Sequence, residues 1–325
     1  MSTRPQLAAL PTPVLPADRL RAALGCAPVW IKRDDLTGFA LAGNKARPLE
    51  YLLGDALDRS RDLLVTGGGA DSNFVPAAAL AARVCGLDCE IVTVPGTGRD
   101  GTNLRLARAA GARVHLLDSP RRDRIDDAVA ELAARRTVEG RRPVAIPRGG
   151  STALGARGFA RAAAELADQV GAGLLPAPGL IVIALGSGGS AAGLLAGLAA
   201  TGLGARLLGV SVSRPPAEAD AVVRRLAAEC AAGTGRPAPG PERWEVVDAR
   251  GAGFGIASDT ERAAAGLGLR TEGLLLDDTY GAKAFAEAVR RLRAGIEGPV
   301  LYWHTGGVAS VLAHLPAAEN RGERS

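Results

Sequence analysis

Residues 180–185, Leu-Ile-Val-Ile-Ala-Leu, form an unbroken apolar run. It stops at Gly186-Ser187-Gly188-Gly189-Ser190, and an Ala/Leu-rich stretch follows. A strand that is apolar at every position has to be covered on both faces, as in the middle of a parallel sheet. Parallel neighbours need crossover connections, usually helices. The rest of the chain keeps this alternation. Strand-like runs are expected at 28–32, 63–66, 90–94, 113–117, 144–147, 180–185, 206–212 and 300–304. Between them lie helical stretches such as 44–59, 75–85, 123–136, 153–170 and 191–200. The pattern predicts an α/β fold of βαβ units with mainly parallel sheets.

The 325 residues are enough for two domains. There is no internal repeat. The one low-complexity stretch, 233–243, reads as a surface loop. No purely apolar window is long enough for a membrane span. The N-terminus also lacks the apolar core of a signal peptide. A cytoplasmic chain without membrane contact is therefore expected, with Cys26, Cys85, Cys89 and Cys230 as reduced thiols. Cys85 and Cys89 are close in sequence but have no histidine nearby, so no metal site is expected. The net charge of +5 comes with only 3% aromatic residues, a poor basis for stacking nucleic-acid bases. Among 39 basic residues only Lys32, Lys45 and Lys283 are lysines. Any chemistry that needs a lysine amine has three candidates.

Glycines at 186, 188 and 189 allow close backbone approach, and the helix N-terminus behind them offers free N–H groups to an anion. Three readings of this loop compete: a dinucleotide fingerprint, a phosphate cup for a smaller cofactor, and a turn without ligand. The dinucleotide reading wants an acid after the next strand. That strand offers none, although Arg214 could meet a 2′-phosphate. A Walker loop is excluded by the missing Gly-Lys-Ser/Thr.

Residues 29–52 run from an apolar strand through a charged turn to Gly43-Asn44-Lys45, which opens a helix with Asn44 as its expected N-cap. A lysine there feels the positive end of the helix dipole, which disfavours its charged form. A neutral amine can form a Schiff base with an aldehyde cofactor.

This segment, IKRDDLTG…GNKARPLE, resembles the cofactor-lysine segment of the D-cysteine desulfhydrase and 1-aminocyclopropane-1-carboxylate deaminase family. Further stretches are similar in the same order: TGGGADSN (66–73), IPRGGSTALGARGF (146–159), ALGSGGSAAGLLAGL (184–198), LLLDDTYGAKAF (274–285) and LYWHTGGVASVLAH (301–314). The resemblance runs from about residue 10 to about 315. It implies a pyridoxal 5′-phosphate enzyme of fold type II, built as two three-layer α/β/α domains. The large domain would comprise 1–47 plus 158–325, and the small one 48–157. A homodimer is implied by the resemblance alone.

The resemblance also implies roles. Lys45 would hold the cofactor and move the substrate's Cα proton. Gly186, Ser187, Gly188, Gly189 and Ser190 would hold the phosphate, and Asn73 the phenolic oxygen. Ser72 would meet the substrate carboxylate, Tyr280 would act as an acid–base or orienting group, and Thr305 would lie near the pyridine nitrogen. His304 reads as a packed, hydrogen-bonded residue. Lys32 is expected to tether Asp34 or Asp35 or to cover the sheet edge, and Lys283 to lie on a helix surface.

The chain also departs from the family pattern. Asp71 and Phe74 flank Ser72-Asn73, where the family has Gln and His. Pro48 replaces a basic residue, Gly281 stands where the deaminases have a glutamate, and Phe254 where they have a tyrosine. Asp71, Phe74 and Phe254, with Ser72, Asn73 and Tyr280, would form a retuned substrate pocket. The expected reaction is α,β-elimination on a small amino acid, D-cysteine or another β-substituted one, giving a 2-oxo acid and ammonia. The alternatives are a β-replacement synthase, an NADP-dependent oxidoreductase using 186–191, and a catalytically silent binding protein.

Overall fold

The computed structural model describes residues 4–69, 71–95, 101–233, 235 and 240–314. In chain order the first elements are β1 (Val14–Pro16), α1 (Asp18–Leu24), β2 (Val29–Arg33), α2 (Ala46–Asp58) and β3 (Leu63–Gly67). Then come α3 (Phe74–Val84), β4 (Asp88–Thr93), α4 (Thr102–Ala109), β5 (Arg113–Leu116), α5 (Ile125–Val138) and β6 (Pro143–Ile146). The middle holds α6 (Ala153–Gly171), β7 (Leu180–Leu185), α7 (Gly189–Thr201), β8 (Arg206–Ser211) and α8 (Pro216–Ala232). The chain ends with β9 (Trp244–Asp248), α9 (Asp259–Glu272), α10 (Gly281–Arg293), β10 (Val300–His304) and α11 (Val308–His314).

Two sheets result, ordered β1-β2-β10-β7-β8-β9 and β5-β4-β3-β6. All pairings are parallel except that of β1 with β2. The alternation of side chains along β7 shows why its sequence is apolar throughout. Ile181, Ile183 and Leu185 point into a core shared with Phe159 and Leu166 of α6, Leu194 of α7 and Leu226 of α8. Leu180 and Val182 point into the opposite core, with Leu20 of α1 and Phe285, Val289 and Leu292 of α10. The smaller sheet repeats the arrangement. Leu64 and Ile91 face α2 and α3, whereas Leu63, Val65 and Val92 face α5. Each such side chain contributes about 1.5–3 kcal/mol by leaving water. These are the expected three-layer units.

All eight expected strands form. Two further ones, β1 and β9, are sheet edges. β1 is a three-residue strand ending in Pro16, which an edge tolerates because no donor is lost to a neighbour. β9 is only partly covered, so it lacks the unbroken apolar run of a central strand. α6 begins where Thr152 Oγ1 accepts the Gly155 N–H at 3.0 Å. α9 begins with a reciprocal cap between Ser258 and Glu261. Residues 234 and 236–239 of the low-complexity stretch lie outside the described residues. None of the four cysteines is in a disulfide, and Cys89 and Cys230 are buried. No helix of the described residues is long and apolar enough to cross a membrane.

Two lysines depart from expectation. Lys32 is fully enclosed and donates to Thr12 O (2.8 Å), Gln169 Oε1 (2.8 Å) and Glu165 Oε1 (2.5 Å). Its partners are on α6 and the N-terminal segment, not Asp34 or Asp35. Lys283 is buried instead of lying on a helix surface, and donates to Ala249 O (2.9 Å) and Arg250 O (3.0 Å). An amine taken out of water in this way needs such acceptors.

Candidate active site

Segments following the C-terminal ends of β2, β7, β8 and β10, and of β3 and β6 in the other sheet, line a cavity of about 320 Å³. That is the usual place for a ligand in parallel α/β sheets.

The chain reaches Lys45 through a 3₁₀ turn, Gly43–Lys45. Gly43 has φ +53°, and a Cβ there would lie 2.5 Å from Thr305 O, so only glycine fits. The Asn44 N–H donates to Thr305 O at 3.0 Å. The Asn44 side chain does not cap α2. Its Nδ2 donates to Ser190 Oγ at 3.1 Å, tying the lysine turn to the glycine loop. Lys45 is half-buried and, among the described residues, its amine donates no hydrogen bond. Burial lowers its pKa to about 8, the expected direction by a cause other than the expected dipole.

Opposite stands the loop from β7 to α7. Gly188 takes φ +105° where the chain turns into the helix. Gly186, Ser187, Gly188 and Ser190 line the cavity. Gly189 does not; its N–H donates to Ser151 Oγ at 3.1 Å, and Ser151 in turn meets Ser187 Oγ at 2.7 Å. A Cβ on Gly186 would lie 2.9 Å from the Tyr280 ring, so this glycine lets the phenol rest against the loop.

Ser72, Asn73 and Phe74 line the third side, at the start of α3. Ser72 Oγ accepts the Phe74 N–H at 3.4 Å. Asn73 Oδ1 accepts from Asn103 Nδ2 (3.3 Å) and Ser310 Oγ (3.2 Å). Asp71 is exposed and does not line the cavity. Tyr280 and Phe254 meet edge to face with ring centres 5.6 Å apart, and both face the cavity, as does Thr305. Asp277 holds Tyr280 in place: its Oδ1 accepts the N–H groups of Thr279 (2.9 Å), Tyr280 (2.5 Å) and Gly281 (3.3 Å). Burial raises Asp277 to about 6 and pushes the Tyr280 hydroxyl above its ordinary value. His304 is buried below this site. Its Nδ1 accepts the Gly306 N–H at 3.3 Å, its Nε2 has no hydrogen-bond partner, and burial lowers its pKa to about 4.

The sequence reading missed Arg122, Arg148 and Glu218, which line the cavity together with Arg214, noted there only for a 2′-phosphate. Arg148 lies inside the quoted IPRGGS stretch, so its place was signalled. Arg122 was hidden among many arginines.

An amine without a partner thus shares a cavity with a helix N-terminus opened by glycines. That combination fits a phosphorylated aldehyde. Residues 6–306 match the family described as "Pyridoxal-phosphate dependent enzyme". The chain belongs to this family. It is 35% identical over 319 residues to D-cysteine desulfhydrase of Yersinia pestis (strain Pestoides F), covering 94% of each protein. It is 36% identical over 324 residues to D-cysteine desulfhydrase of Salmonella choleraesuis (strain SC-B67), covering 96% of each. Among solved structures it is similar to an ACC deaminase homologue, with TM-score 0.87, 33% identity, and coverage of 94% of this chain and 92% of that one. The enzyme is pyridoxal-phosphate dependent and has fold type II.

Proposed function

We propose that the enzyme catalyses α,β-elimination on a small β-substituted amino acid, D-cysteine being the first candidate, to give a 2-oxo acid and ammonia. The observation that carries this reading is the partnerless Lys45 amine, which opens onto the same cavity as the glycine loop and Ser72-Asn73. The D-cysteine desulfhydrases above support the substrate class.

Bound pyridoxal phosphate supplies the electron sink that lets a Cα–H bond break. Gly186, Ser187, Gly188 and Ser190 would hold its phosphate at the start of α7, with Ser190 fixed by Asn44. Gly189 contributes through Ser151 rather than directly. Lys45 takes the Cα proton. With a pKa of about 8 its amine is about a tenth neutral at pH 7, against roughly one in three thousand for an ordinary lysine. Ser72 and the first N–H groups of α3 would receive the substrate carboxylate, and Asn73 would hold the cofactor's phenolic oxygen. Tyr280, whose raised pKa keeps it protonated, donates its hydroxyl proton to the leaving group. Thr305 would offer the pyridine nitrogen a neutral hydroxyl. Phe74 and Phe254 form the apolar walls.

The proposed division into a small domain, 48–157, and a large one, 1–47 plus 158–325, is supported by the separate sheets. The first segment crosses between them, with Leu7 and Ala8 in the core of the smaller sheet and Val14–Pro16 in the larger sheet. A cytoplasmic homodimer completes the proposal.

The test is a visible spectrum of the purified holoenzyme before and after D-cysteine, with pyruvate, sulfide and ammonia assayed. A cofactor band that is lost in Lys45→Ala, shifted by D-cysteine and followed by pyruvate is the expected result. A new thioether formed from added thiol in place of pyruvate would instead establish β-replacement. No band after incubation with pyridoxal phosphate would overturn the reading.

A further inference from the structure

We infer that the outer cavity is built for an amino acid whose β-substituent is itself an oxyanion, with Arg122 as the group that binds it. The inference rests on the elimination reading above and narrows its substrate.

Arg122 opens a 3₁₀ turn before α5. Its guanidinium carbon lies 3.7 Å from the centre of the Phe254 ring, which in turn meets Tyr280. A Cβ on Gly69 would sit 3.2 Å from the same guanidinium, so Arg122 also lies against the loop leading to Ser72. Two independent contacts therefore place this cation among the residues that face the substrate.

What sets it apart is the lack of a hydrogen-bond acceptor. Its Nε is buried without a hydrogen-bond partner, and among the described residues Arg122 makes no ion pair. The other arginines of the cavity are engaged: Arg148 with Asp126 at 2.9 Å, and Arg214 with Gly186 O at 2.8 Å. Of the acids in the lining, Asp123 pairs with Arg121, and Glu218 lies within electrostatic reach of Arg214. Asp71 lies within electrostatic reach of Arg122 but is exposed and outside the lining. A half-buried, stacked guanidinium without an acceptor is costly until an anion arrives. Its planar fork matches a sulfonate, phosphate or carboxylate through two hydrogen bonds. The cofactor phosphate has the glycine loop, and the substrate carboxylate has Ser72 and α3. The remaining anion is on the side chain.

The chemistry balances. Lys45 takes the Cα proton, and the C–H electron pair becomes the Cα–Cβ double bond. The β-substituent leaves with the pair of its bond to Cβ, as sulfite from a β-sulfonate or as phosphate from a β-phosphate ester. Water then releases pyruvate and ammonia. Arg122 would stabilise the charge that grows on the departing group.

The test compares kcat/KM of the wild-type, Arg122→Gln and Arg122→Lys holoenzymes on both enantiomers of 3-sulfoalanine and O-phosphoserine, with 3-chloroalanine as the neutral β-substituted probe. The expected result is a fall of about 10–100-fold in the oxyanion-to-chloroalanine ratio for Arg122→Gln and a smaller one for Arg122→Lys. The sulfonate and phosphate arms identify which group fits. Calorimetric titration with aspartate, whose carboxylate cannot leave, against alanine gives a second readout; wild type should prefer aspartate and Arg122→Gln should lose that preference. Equal losses on charged and neutral probes would overturn the inference and assign Arg122 to the substrate carboxylate. Turnover of 3-chloroalanine, with no binding of any oxyanion substrate, would overturn it alone. Arg122-dependent aspartate binding without 2-oxo acid from any substrate would instead sink the elimination reading and leave this one standing.

Discussion

Lys32 and Lys45 come from one stretch of chain and meet opposite fates. Lys32 is sealed between β2 and α6 with three acceptors. Beside it Arg47 donates to both oxygens of Asp34 at 2.8 Å and to Glu165 at 2.9 and 3.0 Å. Every charge in that cluster is answered. Lys45 has no partner among the described residues, and Arg122 stacks on a ring with its Nε unbonded. A buried cation is costly unless it is paired. The paired cluster therefore belongs to the architecture, joining the N-terminal segment, β2, α2 and α6. The unpaired groups are held for something that arrives from outside.

Exchanging the two lysines for neutral residues breaks this comparison most sharply. Lys45→Ala should lower turnover by about a thousandfold or more while the melting temperature of the apoprotein stays within a few degrees of wild type. Assays of pyruvate release alongside calorimetry check both halves. Lys32→Met should do the reverse. It leaves Glu165 and its neighbours uncompensated and costs about 3–5 kcal/mol in urea unfolding. The double variant Lys32→Met/Glu165→Leu should recover part of that loss, because the remaining pair of Arg47 with Asp34 is complete. If Lys32→Met proves as stable as wild type, the contrast between the two sites fails.

Acid should dissolve the paired cluster in a defined window. Burial raises the Glu165 carboxyl, but hydrogen bonds and charge from Arg47 and then Lys32 outweigh it and hold the group at about 2, against an ordinary 4.5. Its folded form binds fewer protons than its unfolded form between those values, so the stabilisation is complete above pH 4.5 and drains as pH falls towards 2. Unfolding free energies measured down this range should show a loss of about 3 kcal/mol that Glu165→Gln abolishes. Lys45 sharpens the other side. Capture of pyridoxal phosphate by the apoprotein, followed by its visible band, should rise to half its maximum near pH 8. An ordinary lysine would place that point above 10.

The smallest effect belongs to the link between the lysine turn and the glycine loop. Asn44→Ala removes one hydrogen bond, to Ser190. It should weaken cofactor affinity about fivefold, equivalent to about 1 kcal/mol, without changing the fold. A titration of apoprotein with pyridoxal phosphate reads this directly.

The sequence by itself determined the layers and the place of the cofactor amine. Central strands must be apolar on both faces, and that demand is written residue by residue in 63–65 and 180–185. Glycines mark the turns where a side chain would collide, as at Gly43 and Gly186. The scarcity of lysine left few candidates for the amine. Edge strands β1 and β9 escaped notice because one covered face or a short run leaves little pattern. Only the tertiary structure decided which charges are answered. Asn44 looked like a helix cap and became a bridge to Ser190. Lys283 looked like a surface residue and lies buried on two carbonyls. Asp71 adjoins Ser72 in the chain yet faces outward, while Arg122, far away in sequence, covers Phe254. Periodicity and turn chemistry are local properties that the chain carries with it. The partner of a charge is a long-range contact, and it exists only once the two sheets have been brought together around the cavity.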